Sequence, residues 1–554
     1  MSASRGPSSS VARPPSATLG RWLSGTHAPA EKPADIQAAL NDIRRTVIVL
    51  ETSPTGLGVA VGGSLDFSGA QDGLRVEAIL PPVDPAALGD VTFCTNHGLA
   101  YPYMAGAMAN GIASVEIVEA MSQAGMLGVF GAAGLPLDRI ESAIVRLKQN
   151  LGTRPFGFNL IHSPNEQDHE SATVDLYLRH GVRLVEASAY LDLTPHVVRY
   201  RLAGIHRDAA GRVITPNRII AKVSRVEVAT KFFAPAPERM VRDLVASGLL
   251  AAEQAELANH VPVAQDVTVE ADSGGHTDNR PAITLLPTIL ALRDRLQTQH
   301  GFRDLLRVGL GGGIATPTAA AAAFAMGAAF IVTGSVNQAC VESGSSDAVR
   351  QMLAEAGQAD VAMAPAADMF EMGVKVQVLK RGTMFPMRAA KLYELYRSYS
   401  SLEAIPEAER VPLEKNVFKV PLADVWRDTR AYFEGRDPTQ IAKAEADPKH
   451  KMALVFRWYL GQSSRWANAG VADRKLDYQV WCGPAMGAFN EWARGSFLEI
   501  PANRRVVTVA LNLLHGAAIA LRKSQLRAQG IRMDEWFETW PVEREELERR
   551  LADI

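Results

Sequence analysis

Val308-Gly309-Leu310-Gly311-Gly312-Gly313-Ile314-Ala315-Thr316-Pro317 is the stretch that decides the fold of this chain. A short apolar run, the pattern of a buried strand, enters three consecutive glycines. It leaves through Thr316-Pro317, a helix start in which the threonine caps and the proline takes the first turn. Consecutive glycines let backbone N–H groups approach an anion, and the helix behind them adds the positive end of its dipole. Thr333-Gly334-Ser335 then ends the next apolar run and opens another helix. Two glycine turns on adjacent strands form the phosphate cup that a (β/α)₈ barrel places after its seventh and eighth strands. The plainer alternative is that the glycines only permit tight turns. The spacing is neither a Walker loop nor a clean Gly-x-Gly-x-x-Gly.

Working outward, short apolar runs alternate with amphipathic helices from Tyr101 onward. The runs are Pro102–Ala105, Leu127–Phe130, Phe156–Leu160, Leu184–Ala187, Ile219–Val223, Val267–Glu270, Leu306–Leu310 and Phe330–Thr333. Eight β/α units close a parallel barrel, whereas a doubly wound sheet typically stops earlier. The predicted organisation is α/β. Residues 1–35, rich in Ser, Pro, Ala and Arg, read as a disordered tail without the apolar core of a secretory signal. Residues 36–95 read as a small β-rich lead-in domain, with strands at Val47–Leu50, Leu57–Val61 and Val76–Leu80. The TIM barrel covers residues 96–388. Residues 389–554 read as a helical C-terminal region, with helices at Lys391–Tyr399, Val420–Phe433, Pro448–Trp466, Tyr478–Ala493 and Val506–Gln529. Most of the eight tryptophans fall there, so this region should bury a core of its own or pack on the barrel.

Composition narrows the function classes. Lys and Arg number 58 against 60 Asp and Glu, a balance unlike the basic excess of a nucleic-acid binder. No run of 18 or more apolar residues is free of polar interruption, so no membrane span is expected; Ala315–Val332 comes closest. Cys94, Cys340 and Cys482 are widely spaced and odd in number, which suggests buried free thiols, no metal site and a reducing, cytoplasmic setting.

The second constellation is Val267-Thr268-Val269-Glu270-Ala271-Asp272-Ser273-Gly274-Gly275-His276-Thr277-Asp278. It sets an acidic, glycine-flexed turn at the C-terminal end of the sixth strand, the face where barrels do their chemistry. Gly274 and Gly275 allow close approach to a flat ligand, and His276 has an intrinsic pKa suited to proton transfer near neutrality. Asn159, in Phe156-Gly157-Phe158-Asn159-Leu160, offers an amide at the tip of the third strand. Lys222, in Ile220-Ala221-Lys222-Val223, is a lysine in an apolar run that needs an anionic partner. The electron-rich edge of a reduced flavin ring would be one such partner, and an internal ion pair another. In Met104-Ala105-Gly106-Ala107-Met108 the small residues Ala105, Gly106 and Ala107 let backbone lie along a flat ring.

Met104–Gly106, Phe156–Asn159, Ser273–His276, Gly311–Gly313 and Thr333–Ser335 together resemble the superfamily of nitronate monooxygenases and flavin-dependent enoyl-acyl-carrier-protein reductases. Longer strings are more specific. Glu270–Pro281, Val336–Cys340 and Val376–Phe385 resemble the PfaD family, the trans-acting enoyl reductases of polyunsaturated fatty acid and polyketide synthases. The resemblance covers about residues 93–400 specifically and the flanks more loosely. It implies FMN, NADPH as electron source, and a 2-enoyl thioester on an acyl carrier protein, and it is compatible with a homodimer. It further implies His276 as the acid or carbonyl-polarising group, Lys222 and Asn159 at the flavin, and its phosphate on Gly311, Gly312, Gly313, Gly334 and Ser335. The alternatives are nitronate oxidation in the same fold, with His276 as base, and a non-catalytic scaffold.

Overall fold

The computed structural model describes residues 19–552 apart from 26, 55, 69 and 163–166. The predicted tail therefore lies outside the described residues as far as residue 18. Two compact units are present, each treated in turn: the described residues up to Asp84 with Gly516–Thr539 and the stretch from Glu545, and Pro85–His515 with Trp540–Arg544.

The larger unit holds a closed barrel of eight parallel strands. They are β1 (Tyr103–Ala105), β2 (Leu127–Phe130), β3 (Gly157–Ile161), β4 (Leu184–Ser188), β5 (Arg218–Val223), β6 (Asp266–Glu270), β7 (Arg307–Gly311) and β8 (Ile331–Thr333). Each predicted run overlaps one of them. Barrel strands are covered by helices outside and side chains inside, so they read as continuous apolar runs; β2 and β7 are buried at every position. Closure is made where β8 pairs with β1, Ile331 opposite Tyr103. The helices begin where the sequence supplies caps. The Thr194 hydroxyl accepts from the Val197 N–H and the Thr316 hydroxyl from the Ala319 N–H, each followed by a proline in the first turn. At the N-terminal end of the strands Asp266 is buried, bound by Arg307 at 2.6 Å and His97 at 2.8 Å. Burial opposes the charge, but the Arg307 guanidinium and the hydrogen bond with His97 hold its carboxyl well below the usual range.

An antiparallel hairpin, Val361–Pro365 with Lys375–Leu379, follows the barrel, and its second strand also pairs with Gly275–His276. The sequence pattern predicts no strands here. The hairpin packs with the helices that follow into one core, including Phe370, Phe385, Phe418, Phe456 and Tyr459, so this helical region does bury a core. The helix predicted from Tyr478 begins instead at Ala485. Pro484 disfavours helix at Gly483, and Trp481 upstream is held extended by pairing with Val378.

The smaller unit is a five-stranded antiparallel sheet ordered 56–61, 47–53, 74–80, 21–23, 64–66. The predicted β pieces lie within it. Arg21–Leu23, placed in the tail by the sequence, is a strand with Trp22 buried. Three residues are too few to show alternation, and the strand is fixed by pairing with residues far along the chain. The unit also takes in chain beyond Gly516, which the sequence pattern assigns to a single region 389–554, and it ends before the helix Val91–His97. Ala518, Ile519 and Leu526 share its core with Leu40, Val47 and Leu80. Among the described residues Val506–Ala528 is the one helix long and apolar enough to cross a membrane, and its most apolar window is 83% buried, as in a core helix.

Candidate active site

The C-terminal ends of the strands open into a cavity of about 780 Å³. Of the residues singled out in the sequence, Gly106, Ala107, Asn159, Lys222, Gly274, Gly275, His276, Gly311, Gly312, Gly313, Gly334 and Ser335 all line it. Ala105 does not. As the last residue of β1 it is fully buried and paired with Thr333 and Gly128.

The two glycine turns lie side by side because β7 and β8 are paired, Leu310 with Ile331 and Gly311 with Val332. Their glycines do different things. Gly312 has φ +83°, and a Cβ there would lie 2.6 Å from the Ala271 carbonyl oxygen, so its smallness serves the chain's own packing. A Cβ on Gly313 or Gly334 would meet nothing within 4 Å. These two positions leave an open cradle in front of the helix Pro317–Ala325. The Ser335 hydroxyl accepts from the Gly483 N–H at 3.2 Å. Gly274 is also close-packed internally, since a Cβ would lie 2.8 Å from the Cys482 nitrogen. The close approach expected there of a ligand is made by the protein's backbone.

Lys222, Glu270 and Glu186 line the cavity together. Lys222 Nζ lies 3.2 Å from a Glu270 carboxylate oxygen. Burial disfavours its charge, but Glu270 and Glu186 outweigh that and lift its pKa to about 12. The anionic partner that Lys222 requires is thus provided by the protein itself. Glu186 is buried, with burial pushing its pKa up against the pull of Lys222; one oxygen accepts from the Ala107 N–H at 2.9 Å. Its other oxygen and the Thr268 hydroxyl are buried without a partner. Asn159 is held by donating to the Glu186 carbonyl and the Ser188 hydroxyl, each at 3.1 Å.

His276 stands on the wall, placed by the pairing of Gly275–His276 with the hairpin. Its Nε2 is 3.1 Å from Asp368 Oδ1, in the hairpin's connection. Burial would lower the imidazole pKa, but the hydrogen bond and charge of Asp368 raise it above the ordinary value, with Glu270 adding and Lys222 subtracting. Gln377 braces the same turn, donating to Asp272 and to the Ser273 carbonyl, both at 2.8 Å.

Sequence reasoning missed Glu186, Asp368 and Gln377 as site residues. Glu186 carries a signal, a carboxylate inside Leu184-Val185-Glu186-Ala187, of the same kind that singles out Lys222. Asp368 carries none, because its role depends on a contact 92 residues away. The open glycine cradle, the helix start behind it and the orphaned Glu186 and Thr268 oxygens suit a phosphate-bearing cofactor with a polar ring. FMN fits that donor set.

The chain is similar to several known proteins. Residues 93–397 match the family described as nitronate monooxygenase. Residues 399–478 match the inserted helical domain of [acyl-carrier-protein] S-malonyltransferase. The crystal structure of the enoyl reductase domain of MlnA, from the macrolactin biosynthesis cluster of Bacillus amyloliquefaciens, is similar at 41% identity and a TM-score of 0.76, over 80% of this chain and 99% of that one. One of the polyunsaturated fatty acid synthase subunits of Thraustochytrium sp. is 52% identical over 81% of this chain and 30% of its own length. The polyketide biosynthesis protein PksE of Bacillus subtilis is 46% identical over 79% of this chain and 57% of its own. The chain thus spans less than two thirds of either curated relative. By its barrel, its site and these matches, the chain belongs to the nitronate monooxygenase family, in the PfaD branch that its longer motifs resemble.

Proposed function

We propose that this chain is an FMN-dependent enoyl reductase. With NADPH it would saturate the 2,3 double bond of an enoyl thioester on an acyl carrier protein, in polyunsaturated fatty acid or polyketide synthesis in the cytoplasm. The carrying observation is that one cavity joins the open cradle at Gly313 and Gly334 to the His276–Asp368 pair. When bound, FMN supplies the hydride that goes to the β-carbon. The chain's residues do the rest. Gly313 and Gly334 would leave room for the FMN phosphate, and Lys222, Asn159 and the unpaired Glu186 oxygen, which line the same cavity, would hold its ring. His276, its Nε2 engaged by Asp368 and its pKa raised, would be the acid that supplies a proton to the α-carbon. The relatives named for fatty acid and polyketide assembly, and the wall contributed by residues 399–478, favour a carrier-borne chain over a small nitronate.

The test separates the two half-reactions. His276→Ala is expected to bind FMN and oxidise NADPH normally, but to transfer to the enoyl substrate slower by about two to four decades. Rapid mixing reads each step. A wild-type rate in the second step would remove His276 from the chemistry.

A further inference from the structure

We propose that the cavity's outer rim, where Arg436 and Arg465 stack on Tyr432, is a subsite for a phosphate ester. Tyr432 is 41% exposed on the helix Leu422–Arg436. The guanidinium carbon of Arg436 lies 5.7 Å from its ring centroid, and that of Arg465, from the helix Pro448–Ala469, lies 5.9 Å from it. All three side chains line the cavity that also reaches His276.

Two guanidinium groups converging on one ring repel each other, and a cation–π contact satisfies the flat face of Arg465 while leaving its N–H edges to donate. Arg436 has an interaction partner of its own, and two described carboxylates of this region are engaged by other arginines. Glu371 is held by Arg457 at 3.2 Å, and Asp428 lies 3.6 Å from Arg427. Among the described residues no carboxylate lies within ion-pair distance of Arg465, whose side chain is exposed. The helix that carries it is tied to the barrel at the preceding residue. The Asn110 amide, in the loop after β1, donates at 3.1 Å to the hydroxyl of Ser464, the residue before it. A planar fork held at a cavity mouth, with its donors unspent and a second cation across the ring, matches the geometry that takes phosphate oxygens in pairs. It is separate from the glycine cradle, which is built from backbone on β7 and β8.

Two phosphate esters could fill it: the phosphopantetheine arm of a carrier protein, or the phosphates of NADPH. This choice of probes rests on the reductase reading. The purified full chain is titrated calorimetrically with 4′-phosphopantetheine, with pantetheine and with NADP⁺, and thermal unfolding checks each variant. Arg465→Gln, and Arg436→Gln with Arg465→Gln, are expected to bind one phosphate ligand at least about tenfold more weakly, while pantetheine binding is unchanged. Arg465→Lys should recover part of the loss. Loss confined to phosphopantetheine assigns the rim to the carrier arm, and loss confined to NADP⁺ assigns it to the nucleotide. If the double variant fails to fold, the exposed single variant decides. Equal binding of both phosphate ligands by wild type and Arg465→Gln would overturn the proposal. Turnover is not part of the readout, so an inactive protein that passes this test, or an active one that fails it, separates the subsite from the reductase reading.

Discussion

Gly334 and Gly312 should respond to substitution in opposite ways, because one faces open space and the other faces backbone. At Gly334 an added Cβ meets nothing within 4 Å, and φ is not positive, so Gly334→Glu should leave the apoprotein folded. Its carboxylate would enter the cradle proposed for the FMN phosphate. Two like charges about 4 Å apart at an effective dielectric of about 20 repel by about 4 kcal/mol, roughly a thousandfold in Kd. At Gly312, φ is +83° and the nearest atom to a Cβ is the Ala271 carbonyl oxygen, 2.6 Å away. Gly312→Ala should cost about 1–2 kcal/mol for the left-handed backbone and about 1–3 kcal/mol for the overlap, lowering the apoprotein's melting temperature by several degrees. Differential scanning calorimetry of apoprotein and a fluorescence titration with FMN read the two quantities separately. Gly334→Gln distinguishes charge from bulk. Wild-type FMN affinity in Gly334→Glu would place the phosphate elsewhere and refute the cradle.

Two further expectations concern titration. Asp368→Asn removes the group that raises the His276 pKa, so the alkaline limb of the second half-reaction should move to lower pH; an unmoved limb would separate Asp368 from His276. The sign for stability is the same: a raised imidazole pKa stabilises fully below the ordinary value of about 6.5 and is lost as pH climbs through the folded value. Asp266 runs the other way. Its depressed pKa contributes stability above the ordinary carboxyl value of about 4, lost as pH falls through the folded value. Asp266→Asn should therefore lower stability at neutral pH and flatten its acid dependence, as denaturant unfolding between about pH 2 and 7 would show.

The barrel was legible because its strands are short apolar runs closed by glycine, proline and capping threonine, signals local enough to read one unit at a time. All the site residues read from the sequence except Ala105 line the cavity, since barrel chemistry gathers where those runs end. What escaped depends on pairing at long range. The Val361–Pro365 strand looks like an ordinary alanine- and methionine-rich segment until Lys375–Leu379 turns back on it and meets Gly275–His276. Asp368 enters the site only through that turn. Trp22 is buried by strands more than forty residues away, so its segment reads as tail. Gly312 and Gly274 were legible as close approaches, but to the chain's own backbone at Ala271 and Cys482.

The central claim, enoyl reduction on a carrier, is tested most directly by mass. The purified chain with FMN and NADPH is mixed anaerobically with an enoyl chain on an acyl carrier protein, and the intact carrier is weighed. The expected result is a gain of two hydrogens per chain in step with NADPH consumed, and far more slowly with the same chain on a short thiol. No gain in mass, together with aerobic turnover of a nitronate, would contradict it.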